Sequence, residues 1–404
     1  MRFREFVALT ASMMALTALS LDMMLPALPI IGAEFAIGDA NTQQFVIVFY
    51  LAGFAGGHLI AGPLSDRNGR RPVLVVGLLV YLVGSLMAAL APEFTTLLAA
   101  RVIQGLGASA PRVVALAIVR DRYAGRRMSR VMSFVMMIFI LVPVIAPSLG
   151  ELVVQLGTWR IIFAVLLLAG ASLILWIWLR LEETRPARSV PSIVTALDLI
   201  VRTPQCLGYT LAVGFMFGNL MTYIGTAEQV FTDVYDLGGR FTLVFGAIAL
   251  AMIPAAFSNA HIVERVGMRR VSHTALLLYF GLCVALFGFN GASSPSLSIY
   301  AIFMAGTFFC FGHIVPNFNA LAMEPLGEVA GVGSSVIGFW MTAGGAAFGA
   351  IVGQQFDGTV QPILIGFTLL SATALATVLI TERGRLFRVV DQPHEEVNSF
   401  PGKP

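Results

Sequence analysis

Gly62-Pro63-Leu64-Ser65-Asp66-Arg67-Asn68-Gly69-Arg70-Arg71-Pro72 is a short, highly charged loop between two long apolar segments. A weaker copy, Glu264-Arg265-Val266-Gly267-Met268-Arg269-Arg270, recurs 198 positions later between two more. Asp66 matches Glu264, Arg67 matches Arg265, Gly69 matches Gly267 and Arg71 matches Arg269, while Met268 stands where Arg70 would. A charged loop repeated at half-chain distance in an apolar sequence predicts two homologous membrane halves.

The sequence around the loop agrees. Its 404 residues are 57% hydrophobic and 12% charged, with mean hydropathy +0.85, whereas soluble domains carry roughly 25% charged residues. Apolar stretches lie near 6–31, 43–62, 72–92, 95–118, 128–154 and 160–181, and again near 205–228, 241–259, 271–290, 296–321, 329–354 and 361–381. Each can cross a hydrocarbon core of about 30 Å as a helix. Twelve spans are predicted, with the start of the first and the regions of Pro111 and Pro316 the least defined. Residues 1–181 form one six-span half and 204–381 the other. The connector, 182–203, contains Ser192 to Arg202, which reads as a short amphipathic helix on the membrane surface. The tail, 382–404, is polar and reads as disordered beyond Arg388.

Orientation follows from the arginines. Of the 25 basic residues, 21 fall on one side of a twelve-span arrangement. Only Arg160 and Arg240 fall on the other, with Arg101 and Arg112 inside span four. Basic loops face the cytoplasm, so both termini are expected there. Cleavage of the N-terminus as a signal peptide would leave an odd number of spans and reverse the tail, so a retained first helix is expected. Cys206, Cys283 and Cys310 lack metal-like spacing and read as packing residues. The formal charge of +3 reflects these arginines and gives no reason to invoke nucleic acid.

Gly62 permits close helix packing, and Gly69 permits the tight turn that a short connection needs. Asp66 is an anion suited to the N-terminus of a helix from the other half, an interaction of about 0.3–1 kcal/mol. Arg70, one turn beyond, can pair with Asp121 at the end of span four. The bland alternative is that Arg67, Arg70 and Arg71 merely fix topology. The loop, the 6+6 arrangement and the degenerate second copy resemble the major facilitator superfamily. Leu21-Asp22-Met23-Met24-Leu25-Pro26-Ala27-Leu28-Pro29 resembles the first-helix motif of its twelve-span drug:proton antiporters, in the bicyclomycin and chloramphenicol exporter branch. The resemblance implies that Asp66 meets the start of span eleven, Gly331-Val332-Gly333-Ser334-Ser335. It also implies a latch that shuts the cytoplasmic gate while the cavity faces outward. Glu264 with Arg265 would form the counterpart, against the start of span five near Ser129.

Ionisable residues inside spans are costly and are functional candidates by default. Asp22, before the Pro26/Pro29 bend, is the first choice for proton coupling or for holding a cationic substrate; a static structural pair is the alternative. Arg101-Val102-Ile103-Gln104-Gly105-Leu106-Gly107 resembles the superfamily's fourth-span motif, whose arginine is implicated in proton transfer. The depths of Asp22 and Arg101 differ by roughly 5 Å at 1.5 Å per residue, so a pair that protonation would release is expected. Arg112 lies on nearly the same face, roughly 16 Å deeper, either meeting an electron-rich substrate or anchoring beside Pro111. Pro143, Pro147 and Gly150 resemble the antiporter motif of span five, eroded by Ala146 and Glu151. Asn219, Tyr223 and Glu228 of span seven, His313, Asn317 and Asn319 of span ten, and Trp340 of span eleven are cavity candidates. In lipid such residues are more often packing. His58 reads as hydrogen-bonded structure.

The expected fold is an all-α polytopic membrane protein with the major facilitator architecture in two pseudo-symmetric halves. The expected function is proton-driven alternating-access export of small amphipathic compounds, including drugs, by a monomer in the bacterial inner membrane. No cofactor, metal or nucleic acid is expected. The rival reading is a proton-coupled metabolite transporter on the same fold. An enzyme or sensor is disfavoured, since no His-Glu-x-x-His, Gly-x-Ser-x-Gly or Cys/His cluster occurs.

Overall fold

The computed structural model describes residues 1–123, 125–184, 192–290 and 295–387, and among them every regular element is helical. The first half comprises α1 (Phe3–Asp22), α2 (Leu28–Glu34), α3 (Phe45–Asn68), α4 (Arg70–Ala89), α5 (Phe94–Arg122), α6 (Gly125–Gln155) and α7 (Arg160–Arg180). The surface helix α8 (Ile193–Arg202) follows. The second half comprises α9 (Pro204–Gln229), α10 (Phe241–Ala249), α11 (Met252–Val266), α12 (Met268–Asn290), α13 (Leu297–Met323), α14 (Ala330–Gly353) and α15 (Gln361–Thr381). Eleven spans are long and apolar enough among the described residues; α6, apolar over Leu141–Gln155, supplies the twelfth crossing.

Among the described residues two spans are broken, each at a proline. Span one runs as α1, a tight 3-10 turn at Leu25–Ala27, and α2. Pro26 has no N–H to return to the Asp22 carbonyl, so the regular ladder stops at Asp22. Span eight is broken at Leu250 and Ala251. Pro254 cannot donate to the Leu250 carbonyl, which accepts instead from the Ile253 N–H at 3.0 Å. By contrast, α5 continues through Pro111 and α13 through Pro316. The break in span eight was not legible as one; that segment extends to Val266 instead of ending near 259.

The first half is organised around α5, which packs against both α3 and α4. Backbones come close where side chains are absent: Gly53 lies on the Val102 carbonyl and Gly105 on the Tyr50 carbonyl. Small residues at such contacts are how membrane helices gain dispersion energy without a hydrophobic drive. In α8 the Ser192 hydroxyl caps the helix by accepting from the Val194 N–H. Ala196 and Ile200 are buried, and Val194, Leu197 and Val201 are exposed, as an amphipathic surface helix requires. The tail beyond residue 387 lies outside the described residues.

Candidate functional site

The arginine-rich loop forms a dense ionic knot. Gly69 adopts φ +103°, donates its N–H to the Ser65 carbonyl to close α3, and opens α4. Arg70, buried, forms an ion pair with Asp66 one turn earlier. It also bonds Asp121 Oδ2 at 2.9 Å and Ser65 Oγ at 2.7 Å. The Arg70–Asp121 contact is the one the sequence predicts. Glu183, from the connector, accepts from the backbone N–H groups of Arg70 (2.8 Å) and Arg71 (3.1 Å). A carboxylate at a helix N-terminus satisfies its free donors and its dipole, and nothing in the loop's own sequence announces it. Arg71 donates to the Trp178 carbonyl at 2.6 Å, and Arg67 is exposed. Among the described residues Asp66 takes its bonds from Arg70 and not from the start of α14. What meets α14 there is Gly62, against the Ser335 hydroxyl.

The second copy repeats the turn but not the knot. Gly267 adopts φ +88°, while Glu264 and Arg265 are exposed with no ion pair among the described residues. Met268 removes the cation that Glu264 would need. The charge at this end is carried by Arg269, which bonds Glu382 at 2.9 Å and lies 3.8 Å from Glu324. Tyr209 joins by donating to Glu382 at 2.6 Å and touching His273 at 2.9 Å. The expected partner region near Ser129 lies outside the described side chains.

Arg101 and Asp22 do not form the expected ion pair. Arg101 is completely buried, and its guanidinium is held by neutral acceptors. Nη1 and Nη2 each donate to the Ser20 carbonyl at 3.1 Å, Nη1 to Gln104 Oε1 at 2.6 Å, and Nε to the Val46 carbonyl at 3.0 Å. The Tyr50 ring covers it at 4.4 Å. The cage extends through Gln104 to Ser85 Oγ (2.9 Å), and Ser20 Oγ contacts the Tyr81 hydroxyl at 2.7 Å. The reason is local: the break in span one leaves the Ser20 carbonyl without a backbone donor, and the guanidinium N–H groups of Arg101 fill that vacancy instead of turning to the Asp22 carboxylate. Asp22, 2% exposed, keeps Oδ1 without a hydrogen-bond partner among the described residues. Gly150 lies on the Met23 carbonyl and the Pro26 ring beside it, so the α6 helix carrying Pro143 and Pro147 packs onto the break.

The remaining candidates are scattered. Asn219 donates toward the Phe367 carbonyl of α15 at 3.5 Å. Tyr223 stacks on Phe245 (centroids 5.2 Å apart) and meets Phe308 edge-on at 4.8 Å. Both point into the second half's own core. His313 bonds Ser258 at 2.9 Å and Asn317 bonds Asn259 Oδ1 at 2.7 Å, which glues α13 to α11. Trp340 packs against Gly214 and Gly344 in the α9–α14 seam. Arg112 is half-buried on α5, near His58 of α3. His58 Nδ1–H donates to the Phe54 carbonyl, 2.9 Å away, as structure. Glu34 is taken by Arg160 and Trp159.

Between the halves, Gln44, Ile47, Leu51, Met221, Gly225 and Gly349 line a narrow cleft, together with Val48. Its arginine-poor end is closed by four amides that sequence reasoning did not single out. Gln44 donates to Gln229 Oε1 (2.6 Å) and to the Gly353 carbonyl (3.2 Å). Gln229 donates to Asn41 Oδ1 (2.9 Å), and Asn41 donates to the Phe356 carbonyl (2.8 Å). Gln354 returns a bond to the Asn41 carbonyl at 2.7 Å. Replacing Gln44 with alanine removes two of these contacts, each contributing about 0.5–1.5 kcal/mol. Maleimide labelling of a Val48→Cys probe from the arginine-poor side is expected to quicken by roughly tenfold. Unchanged labelling would show that the amides do not hold this end shut.

The Major Facilitator Superfamily model matches residues 10–350. The MFS-type transporter YdgK of Bacillus subtilis (strain 168) is 32% identical over 346 residues, covering 83% of this chain and 85% of that protein. The bicyclomycin resistance protein homolog of Haemophilus influenzae (strain ATCC 51907 / DSM 11121 / KW20 / Rd) is 28% identical over 396 residues, covering 94% and 96%. Among solved structures, the xylose transporter XylE from E. coli, in a partially occluded inward open conformation, matches with TM-score 0.68 and 11% identity over 93% of this chain and 97% of that one; this likeness speaks for the fold alone. With a family model covering most of its length and a relative above 30% identity, the chain belongs to the Major Facilitator Superfamily.

Proposed function

We propose that this transporter exports small amphipathic compounds, drugs among them, in exchange for protons. The observation that carries the reading is Asp22: a buried carboxylate with an unpartnered oxygen, at the break of span one, in a chain of this family. A proton neutralises such a group, and its release charges it, so occupancy can bias which conformation is favoured. The relative named for bicyclomycin resistance supports drugs as the substrate class. The arginine distribution supports cytoplasmic termini in a bacterial inner membrane. On that orientation the amide-closed end is the outer one. We take the working unit to be a monomer without enzymatic activity, built from halves spanning 1–181 and 204–381.

The second reading, a proton-coupled metabolite transporter, is favoured by the eroded motif of span five, where Glu151 replaces a glycine. Inverted vesicles energised acid-inside separate the two. Amphenicols, cationic dyes and small metabolites are added in turn, and luminal pH is followed. Proton release on adding amphenicols or dyes is expected. Release only with metabolites would establish the second reading, and no release with any compound would remove proton-coupled transport of these classes.

A further inference from the structure

Glu228 is the buried carboxylate to which the transport cycle above gives no task. It is 7% exposed and lies at the end of α9, next in sequence to Gln229 of the amide closure. At 100° per residue it falls about 20° round the helix from Met221 and about 60° from Gly225, both of which line the cleft between the halves. The 3-10 turn of span one, Leu25–Ala27, packs against α9. Glu228 is therefore on the face turned to the other half, not on the opposite face that carries Asn219 and Tyr223 into the core.

Few charges surround it. Thr232 supplies a hydroxyl one turn on, and Asp233, exposed, follows on the same turn. Of the helices packed on α9, α10, α14 and α15 contain no charged or titratable residue. Further off, α13 contributes Tyr300, Cys310 and His313, α8 and the turn after α13 bring Asp198, Arg202 and Glu324 to the opposite end of α9, and Asp22 lies three residues before the packed turn of span one. Among the described residues Glu228 has no ion pair.

We propose that Glu228 is a second proton-carrying carboxylate, and that protonating it lets the amide closure of Asn41, Gln44, Gln229 and Gln354 form. Opening this end brings water to the carboxylate. Closing it removes that water, and the neutral acid gives up less hydration than the anion does. Closure is thus linked to uptake of one proton from the side that has just been sealed, O–H forming on a carboxylate oxygen and nothing else changing. An exporter driven by external protons needs this order of events. The inference rests on the proton-coupled reading above and assigns its outer gate a titrating group.

The test labels Val48→Cys from outside with an impermeant maleimide across a pH series, in a protein whose Cys206, Cys283 and Cys310 are replaced. Asp22→Asn is included throughout so that Asp22 cannot supply the response. Labelling, taken at each pH relative to an exposed cysteine probe so that the thiol's own ionisation cancels, should rise with pH, by at most about tenfold per unit for one linked proton. Glu228→Gln should label slowly at every pH, and Glu228→Asp should restore the slope. Thr232→Ala, which keeps the carboxylate, should displace the midpoint and serves if Glu228→Gln does not reach the membrane. A slope that survives Glu228→Gln, a midpoint unmoved in Thr232→Ala, or no slope in the Asp22→Asn parent overturns the proposal. Substrate-driven proton release in vesicles reports on the transport reading separately: its absence together with a Glu228-dependent slope would remove export and leave the gate assignment standing.

Discussion

Replacing Arg101 with alanine should abolish transport and markedly destabilise the protein. The side chain is the sole hydrogen-bonding partner described for the Ser20 carbonyl, which the break in span one has cut from its helical donor. It also satisfies Gln104 Oε1. Each acceptor left buried and unpaired costs about 1–3 kcal/mol, and the vacated volume beneath Tyr50 and Phe163 adds about 3–5 kcal/mol by analogy with large-to-alanine core changes. The total is comparable to the whole stability of many domains, about 5–15 kcal/mol. Arg101→Lys keeps a charge but offers one point donor where a planar fork reached three acceptors. It should fold and transport at least tenfold more slowly. Thermal unfolding in detergent and transport in vesicles check both. Wild-type melting of Arg101→Ala would show that Ser20 and Gln104 find other partners, and the cage would lose its structural meaning.

What the sequence disclosed and withheld follows from the range of each interaction. The Asp66–Arg70 pair is one helical turn, and Asp121 ends the next span on the same membrane face, so chain position was nearly sufficient. The Gly69 and Gly267 turns, both at positive φ, are likewise visible in a spacing. Facing is harder to read. Asn219 and Tyr223 looked like cavity residues because they are polar within a span, yet they lie about 160° round α9 from Met221. Gly214, Gly218 and Gly225 share the Met221 face of α9, and that phase alone sets Asn219 and Tyr223 opposite. His313 and Asn317 satisfy each other's neighbourhood, α11 to α13, and a single sequence holds no trace of which helix is adjacent. Asn41, Gln44, Gln229 and Gln354 sit at span ends, where amides ordinarily meet water. Only the meeting of two halves turns them into a closure. The Asp22–Arg101 expectation missed because it counted charges and depths, and not the carbonyl that a proline-broken helix leaves free.

That carbonyl also defines what Asp22→Asn should do. With Ser20 held by Arg101, the end of α1 is fixed in place whatever the charge on Asp22, so the asparagine variant should fold as the wild type does. An amide has nearly the carboxyl group's shape and cannot bind or release a proton near neutral pH. Concentrative transport should therefore lose the share that the Asp22 proton drives. Each proton exchanged across one pH unit sustains a substrate gradient of at most about tenfold, or 1.4 kcal/mol, and without the Asp22 proton the sustainable gradient should fall by that factor. Substrate exchange at equal concentration on both sides needs the two conformations but no proton on Asp22, and it should persist. The two assays together separate loss of coupling from loss of binding or of motion. Exchange and uphill transport lost together would place Asp22 in substrate binding or in the conformational change itself. Both retained would move the proton to another carboxylate. Glu34 is already engaged by Arg160 and Trp159, so Glu228, under the amide closure, would then be left to carry it.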